Sequence, residues 1–216
     1  MKYFPIFIDL HGRRVLVVGN GPETEIKVEQ LIEAGADVVV VSPEPLPLIS
    51  RLNAQRKITF VQRGFRESDL DDVWLVYGAA ADRVLNERIV CAAQQRRVLY
   101  NIVDVTELCA FIMPAIVSRN DLNIAISTSG NSPALAQRVK RETAERFGPE
   151  YGLLNDLLGR LRPQVLHDIP DKERRKEAFH RLVNSEVLTL LQEGKNEEAE
   201  ALAMQLVAAP LFSNIK

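Results

Sequence analysis

The sequence predicts an α/β protein: a doubly wound parallel sheet, then a small hairpin-and-helix segment, then a helical tail. Three observations carry this. Strand-like and helix-like patterns alternate from the N-terminus to about residue 104. The strand-like runs are apolar on both faces, as strands covered by helices on two sides must be. Beyond about residue 113 the alternation stops, giving way to a hairpin pattern and then to helical periodicity alone.

Taken in order, RRVLVVG is a β run that ends at Gly19. EIKVEQLIEAG places apolar residues at helical spacing and stops at Gly35. DVVVVSP is the second strand and PLISRLNAQ the second helix. KITFVQ, VWLVYGAA and VLYNIVD read as three further strands, with RVLNERIVCAAQQR as the helix between the last two. FIMPAIVSRNDLNIAISTSG then reads as two strands around a polar Ser-Arg-Asn-Asp turn. In SPALAQRVKRETAERFG, Ser132 is a natural N-cap, Pro133 suits the first helical position and Gly148 stops the helix. From Pro149 the pattern is helical to near the end, including NSEVLTLLQEG and EEAEALAMQLV. The expected domains are therefore residues 1–113, 114–148 and 149–216.

A chain of 216 residues that is 46% hydrophobic and 26% charged suits a folded globular protein. Its 27 basic and 29 acidic residues leave a formal net charge of -2, which provides no overall field for nucleic acid or an anionic membrane. Neither is an expected partner. The N-terminal MKYFPIFIDLHGRR has a short apolar run broken by Pro5 and Asp9, neither a secretion signal nor a span, so a cytoplasmic protein is expected. Cys91 and Cys109 are in no CxxC spacing and read as ordinary intracellular thiols. His11, His167 and His180 fall in no metal-ligand pattern, and no metal ligand is assigned.

Four segments could carry chemistry. The first strand runs into Gly19, Asn20 and Gly21, where one glycine allows a tight turn and the next lets the backbone approach a pyrophosphate on the helix N-terminus. The third small residue of that fingerprint is replaced by Thr24, and Glu23 brings a carboxylate beside the diphosphate position, although acids also suit a first helical turn. The second strand ends at Ser42 and Pro43 rather than at an acid; the Ser42 hydroxyl can bond a ribose, and Glu44 is the substitute carboxylate if the loop turns back. NIVD, Asn101 to Asp104, lies at the carboxyl end of a parallel strand, where ligand crevices open. There Asp104 can serve as a base, contact a metal, or simply cap a turn. STSGNSP is a small-polar loop before a capped helix, with Arg119, Arg138, Lys140 and Arg141 near in sequence; it reads as an anion cradle with a local basic patch, or as a solvated face.

In order along the chain, F-P-I-F-x-x-L, V-x-V-V-G-x-G, L-x-x-A-G-A-x-V-x-V-x-x-P, N-x-V-D, F-x-x-P-A and I-S-T-x-G-x-S-P-x-L-A together resemble the precorrin-2 dehydrogenase/sirohydrochlorin ferrochelatase family. This family is found as the N-terminal module of siroheme synthase and as a stand-alone form. The resemblance runs from Phe4 to about Phe147. It implies a Rossmann-like domain, a dimerisation hairpin region and a C-terminal helical domain. It implies NAD-dependent oxidation of precorrin-2 to sirohydrochlorin in a homodimer, with ferrous iron insertion in some members. Asp104 would be the catalytic proton acceptor. The cofactor contacts would be Gly19, Asn20, Gly21, Pro22, Glu23, Pro43, Glu44, Ala79, Ala80 and Asp82. Asn101, Thr128, Ser129, Gly130, Asn131 and Ser132 would line the tetrapyrrole side. The chain departs from the family's G-G-G-x-V-A-x-R-K, reading G-N-G-P-E-T-E-I-K, and its G-A-A-A-D segment has Ala where the family often has Thr and Asp. Chelation alone, or tetrapyrrole or nucleotide binding without turnover, are the alternative readings.

Overall fold

The computed structural model describes residues 2–208, which fall into two compact units dividing at Met113 and Pro114. The end of the expected helical domain, residues 209–216, lies outside the described residues.

In the first unit the strands β1 (Arg14–Val18), β2 (Asp37–Ser42), β3 (Thr59–Gln62), β4 (Leu75–Gly78) and β5 (Leu99–Ile102) form one parallel sheet in the order β3-β2-β1-β4-β5. Between them run the helices α1 (Pro22–Glu33), α2 (Pro47–Ala54) and α3 (Arg83–Arg96). The continuous apolar runs have the expected cause. Along β1, Leu16 and Val18 pack with Ile89, Ala92 and Ala93 of α3 on one face, while Val15 and Val17 pack with Val28 and Leu31 of α1 and Ile49 of α2 on the other. The period-two alternation of side chains sends successive residues into the two opposite cores. Helix α1 starts at Pro22, three residues before the periodic stretch, because proline suits the first helical position.

Two features of this unit have measurable consequences. Thr24 is fully buried and its hydroxyl has no hydrogen-bond partner among the described residues. It occupies the place of the fingerprint's third small residue, where helix and strand are packed closest. Thr24→Val removes the hydroxyl and keeps the shape, so it is expected to raise stability by about 1 kcal/mol in urea unfolding. Asp69 is the second. Burial pushes its carboxyl up, but hydrogen bonds from the Arg63 side chain, the closer at 2.5 Å, and from the Arg66 backbone N–H bring it below the ordinary aspartate value. A lowered folded value means that the stabilisation is complete above the unfolded aspartate range and is lost as pH falls through the folded value. Asp69→Asn is expected to cost about 2 kcal/mol at neutral pH. Chemical unfolding across the acid range should show the difference from wild type shrinking as pH drops.

The second unit begins with an antiparallel hairpin, β6 (Ala115–Arg119) and β7 (Leu122–Ile126), turning at Asn120 and Asp121. Among the described residues five helices follow: α4 (Pro133–Arg146), α5 (Pro149–Asp168), α6 (Lys172–Val183), α7 (Val187–Gln192) and α8 (Asn196–Ala208). Leu154, Leu157, Leu161 and Val165 make a stripe down α5 that packs with Ala178 and Leu182 of α6 and with Ala199 and Ala203 of α8. Gly152 allows α5 to close on the hairpin, since a methyl group there would lie 2.8 Å from the Arg119 carbonyl oxygen.

Candidate functional site

Strand order reverses between β1 and β4, so a crevice opens outside the carboxyl ends of these two strands. Gly19 leaves β1 with φ +132, and a Cβ there would meet the Ala79 carbonyl oxygen at 2.4 Å. Glycine is required for both reasons. Backbone hydrogen bonds fasten this edge: Gly19 N donates to Val41 O at 3.1 Å, and Ala79 N donates to Val18 O at 2.7 Å. Gly21 is the N-cap of α1 and offers no side-chain cap, while Pro22 has no N–H, so the first turn presents the Glu23 amide. The half-buried Ala79 and Ala80 lie across the turn from Gly19. The structure therefore assembles Gly19, Gly21, Ala79 and Ala80, predicted from separate segments, at one edge of the sheet.

Beside them, Val103 N donates to Gly78 O at 2.9 Å, tying the end of β5 to the end of β4. A turn closed by Val105 N donating to Ile102 O at 3.2 Å follows, with Asp104 exposed at φ +62. Position three of such a turn favours glycine, and aspartate tolerates it at a cost of about 1 kcal/mol. A carboxylate is thus held out at the carboxyl edge in a conformation that glycine would adopt more easily.

Several predicted contacts have other work in the structure. Asn101 is only 7% exposed and its amide donates to Phe111 O at 2.9 Å, so it braces the chain after β5 instead of facing a ligand. The Ser42 hydroxyl is buried and closes its own turn, donating to Glu44 O at 2.8 Å and accepting from Glu44 N at 3.3 Å. It is not free for a ribose. Pro43 and Glu44 are exposed on that turn. Asp82 is exposed and caps α3, accepting from Val84 N at 2.9 Å.

In the second unit, Ser132 caps α4 as expected, accepting from Leu135 N at 3.1 Å. The Thr128 hydroxyl donates to Ser132 O at 3.1 Å and accepts from Ser132 N at 3.2 Å, so it shapes the loop and has no hydrogen atom left for a ligand. Ser129 and Gly130 both take positive φ, and Gly130 and Asn131 are exposed. The expected basic patch is largely dismantled. Arg119 donates to Phe147 O at 2.8 Å and Ala144 O at 2.9 Å, closing the C-terminus of α4, and Arg138 pairs with Glu142 at 2.8 Å. Carbonyls at a helix end and an acid one turn away lie within easier reach than the loop. Lys140 and Arg141 make no ion pair among the described residues.

A cavity of about 640 Å³ near α1 is lined by Asn20, an expected cofactor contact, and by Glu25, Leu46, Pro47, Leu48 and Arg51, which the sequence reading missed. Its signals were present as a first-turn acid and an apolar Pro-Leu-Pro-Leu run, each with an ordinary helical explanation. Among the described residues no cluster of three or more His, Cys, Asp or Glu is placed to hold a metal ion, and no helix is long and apolar enough to cross a membrane.

The sheet order, the glycine turn at the strand-order reversal and the adjoining cavity define a Rossmann-like protein of the nucleotide-binding class. Comparison with known proteins agrees. A family model described as "Putative NAD(P)-binding" matches residues 6–115, one for the sirohaem biosynthesis protein central region matches 119–144, and one for the sirohaem synthase dimerisation region matches 150–207. A siroheme synthase of Thioalkalivibrio sulfidiphilus is 39% identical over 200 residues, covering 92% of this chain and 41% of its own length. One from Sodalis glossinidius is 35% identical over 212 residues, covering 97% and 45%. The chain spans less than half the length of these curated relatives. A solved structure described as SirC, precorrin-2 dehydrogenase, superposes with TM-score 0.77 over 94% of this chain and 100% of that one, at 24% identity, and shares the fold. The chain belongs to the putative NAD(P)-binding family whose model spans residues 6–115, and its later segments match the central and dimerisation regions of sirohaem synthases.

Proposed function

We propose that the chain oxidises precorrin-2 to sirohydrochlorin, with NAD as the hydride acceptor and Asp104 as the proton acceptor. The observation that carries this reading is Asp104 itself, a non-glycine residue at φ +62, fastened through Val103 to the end of β4 beside the glycine turn. An observed backbone outlier of this kind at a ligand edge supports a functional role.

The residues present fit the nucleotide. Gly19 leaves no Cβ in the turn, and the uncapped start of α1 turns the Glu23 amide and the positive end of the helix outward, where a pyrophosphate is held. When bound, NAD supplies an acceptor for the hydride removed from the macrocycle. The oxidation removes two hydrogens from precorrin-2, one leaving as hydride and one as a proton. Asp104 takes that proton on a carboxylate oxygen; being exposed, it can pass it to solvent. In the second unit, the backbone N–H of the exposed Gly130 and the side-chain amide of the exposed Asn131 suit hydrogen bonds to carboxylates such as a tetrapyrrole carries.

Ferrous iron insertion is proposed as a second reaction of the same carboxylate, the ion arriving as substrate and Asp104 taking the protons displaced from the macrocycle nitrogens. The match of residues 150–207 to a dimerisation region supports a homodimer. Anaerobic assay of purified protein with precorrin-2, comparing NAD with no nucleotide, tests the main reading. Sirohydrochlorin absorbance appearing only with nucleotide supports it; ferrous insertion into sirohydrochlorin without any such oxidation would leave the chelatase alone.

A further inference from the structure

We infer that Glu25 takes the part of the missing acid at the end of β2, binding the adenosine ribose and making the site select NAD over NADP. This rests on the nucleotide-binding reading above and goes beyond it, because that reading leaves the ribose unassigned.

In doubly wound nucleotide sites an acid at the end of the second strand holds the ribose hydroxyls, or an arginine nearby receives a 2′-phosphate. Here β2 ends at Ser42, whose hydroxyl is buried in its own turn. The nearest replacement comes from another element. Glu25, in the first turn of α1, reaches across to the start of α2, where its Oε1 accepts from Leu48 N at 3.2 Å. This bond fixes the carboxylate on the cavity wall, and Oε2 makes no hydrogen bond among the described residues. A carboxylate positioned by a backbone amide, with one oxygen free, is the acceptor that a ribose hydroxyl needs. Leu46, Pro47 and Leu48 add an apolar wall, and the cavity, at about 640 Å³, is in the range of small-molecule sites.

Charge decides which nucleotide enters. Arg51 is the only cation lining the cavity, and it makes no ion pair among the described residues. Against it stands Glu25 on the same wall. A 2′-phosphate would meet the like charge of the Glu25 carboxylate, whereas a free 2′-hydroxyl would find there the acceptor it needs. Removing the Glu25 charge leaves Arg51 as the phosphate's partner.

Isothermal titration of the full chain with NAD and with NADP, in the absence of any tetrapyrrole, tests this. Wild type is expected to bind NAD more tightly, and Glu25→Gln, which keeps an oxygen for Leu48 N, is expected to shrink the preference by about tenfold. Arg51→Gln changes an exposed helix position and is expected to widen the preference. A ratio unmoved by Glu25→Gln, or a wild type that prefers NADP, overturns the inference while leaving nucleotide binding intact. Binding of neither nucleotide by a folded wild type overturns both this inference and the dehydrogenase reading.

Discussion

Gly19→Ala is expected to destabilise the first unit by about 4 kcal/mol, the sum of a strained backbone and an overpacked contact. The added methyl would lie 2.4 Å from the Ala79 carbonyl oxygen, and the residue holds φ at +132, a conformation that alanine avoids. The obstacle is backbone that is itself hydrogen-bonded into β1 through Ala79 N and Val18 O, so it cannot step aside as a flexible side chain would. Urea unfolding followed through Trp74, the only tryptophan and part of this unit, measures the loss. Gly21→Ala provides the contrast. Its methyl would meet the same carbonyl at an ordinary 3.4 Å, so this variant should fold within about 1 kcal/mol of wild type. It should nonetheless weaken nucleotide binding, because the methyl stands where a pyrophosphate approaches the backbone. Equal stability for the two variants would contradict the packing described at this turn.

Asp104 gives the second large effect, and its two substitutions separate mechanism from fold. Asp104→Asn keeps the size and tolerates the left-handed conformation, so stability should hold while turnover falls by about 10²–10⁴, as expected when a general base is removed. Asp104→Gly should lose turnover as fully yet gain up to about 1 kcal/mol of stability, because glycine adopts φ +62 without strain. A variant that is more stable and inactive is the signature of a residue retained for chemistry at a cost to the fold. Turnover within twofold of wild type in the Asn variant would remove Asp104 from the mechanism.

Much of the fold was legible because its signals are local and redundant. The apolar runs of β1 and β4 need two covered faces, Pro133 and Ser132 mark a helix start, and the polar Asn120 and Asp121 mark a hairpin turn. The glycine turn was legible for the same reason. What stayed hidden depends on partners distant in sequence. The indifference of Arg119 to the loop follows from carbonyl acceptors 25 and 28 residues away, and Asn101 is occupied by a carbonyl ten residues on. Glu25 carries no local signal of its role, because its partner, Leu48 N, is 23 residues downstream. Thr24 was visible as a departure from the fingerprint, but only the packed structure shows that its hydroxyl is buried without a partner.

The most direct test of the account is the stoichiometry of one anaerobic turnover. Precorrin-2, NAD and purified protein are mixed, and reduced nicotinamide and sirohydrochlorin are followed together by absorbance. Both are expected to appear at the same rate and in equal amounts, and Asp104→Asn to suppress both. Sirohydrochlorin formed without reduced nicotinamide, or no oxidation by a protein that demonstrably binds NAD, would contradict it.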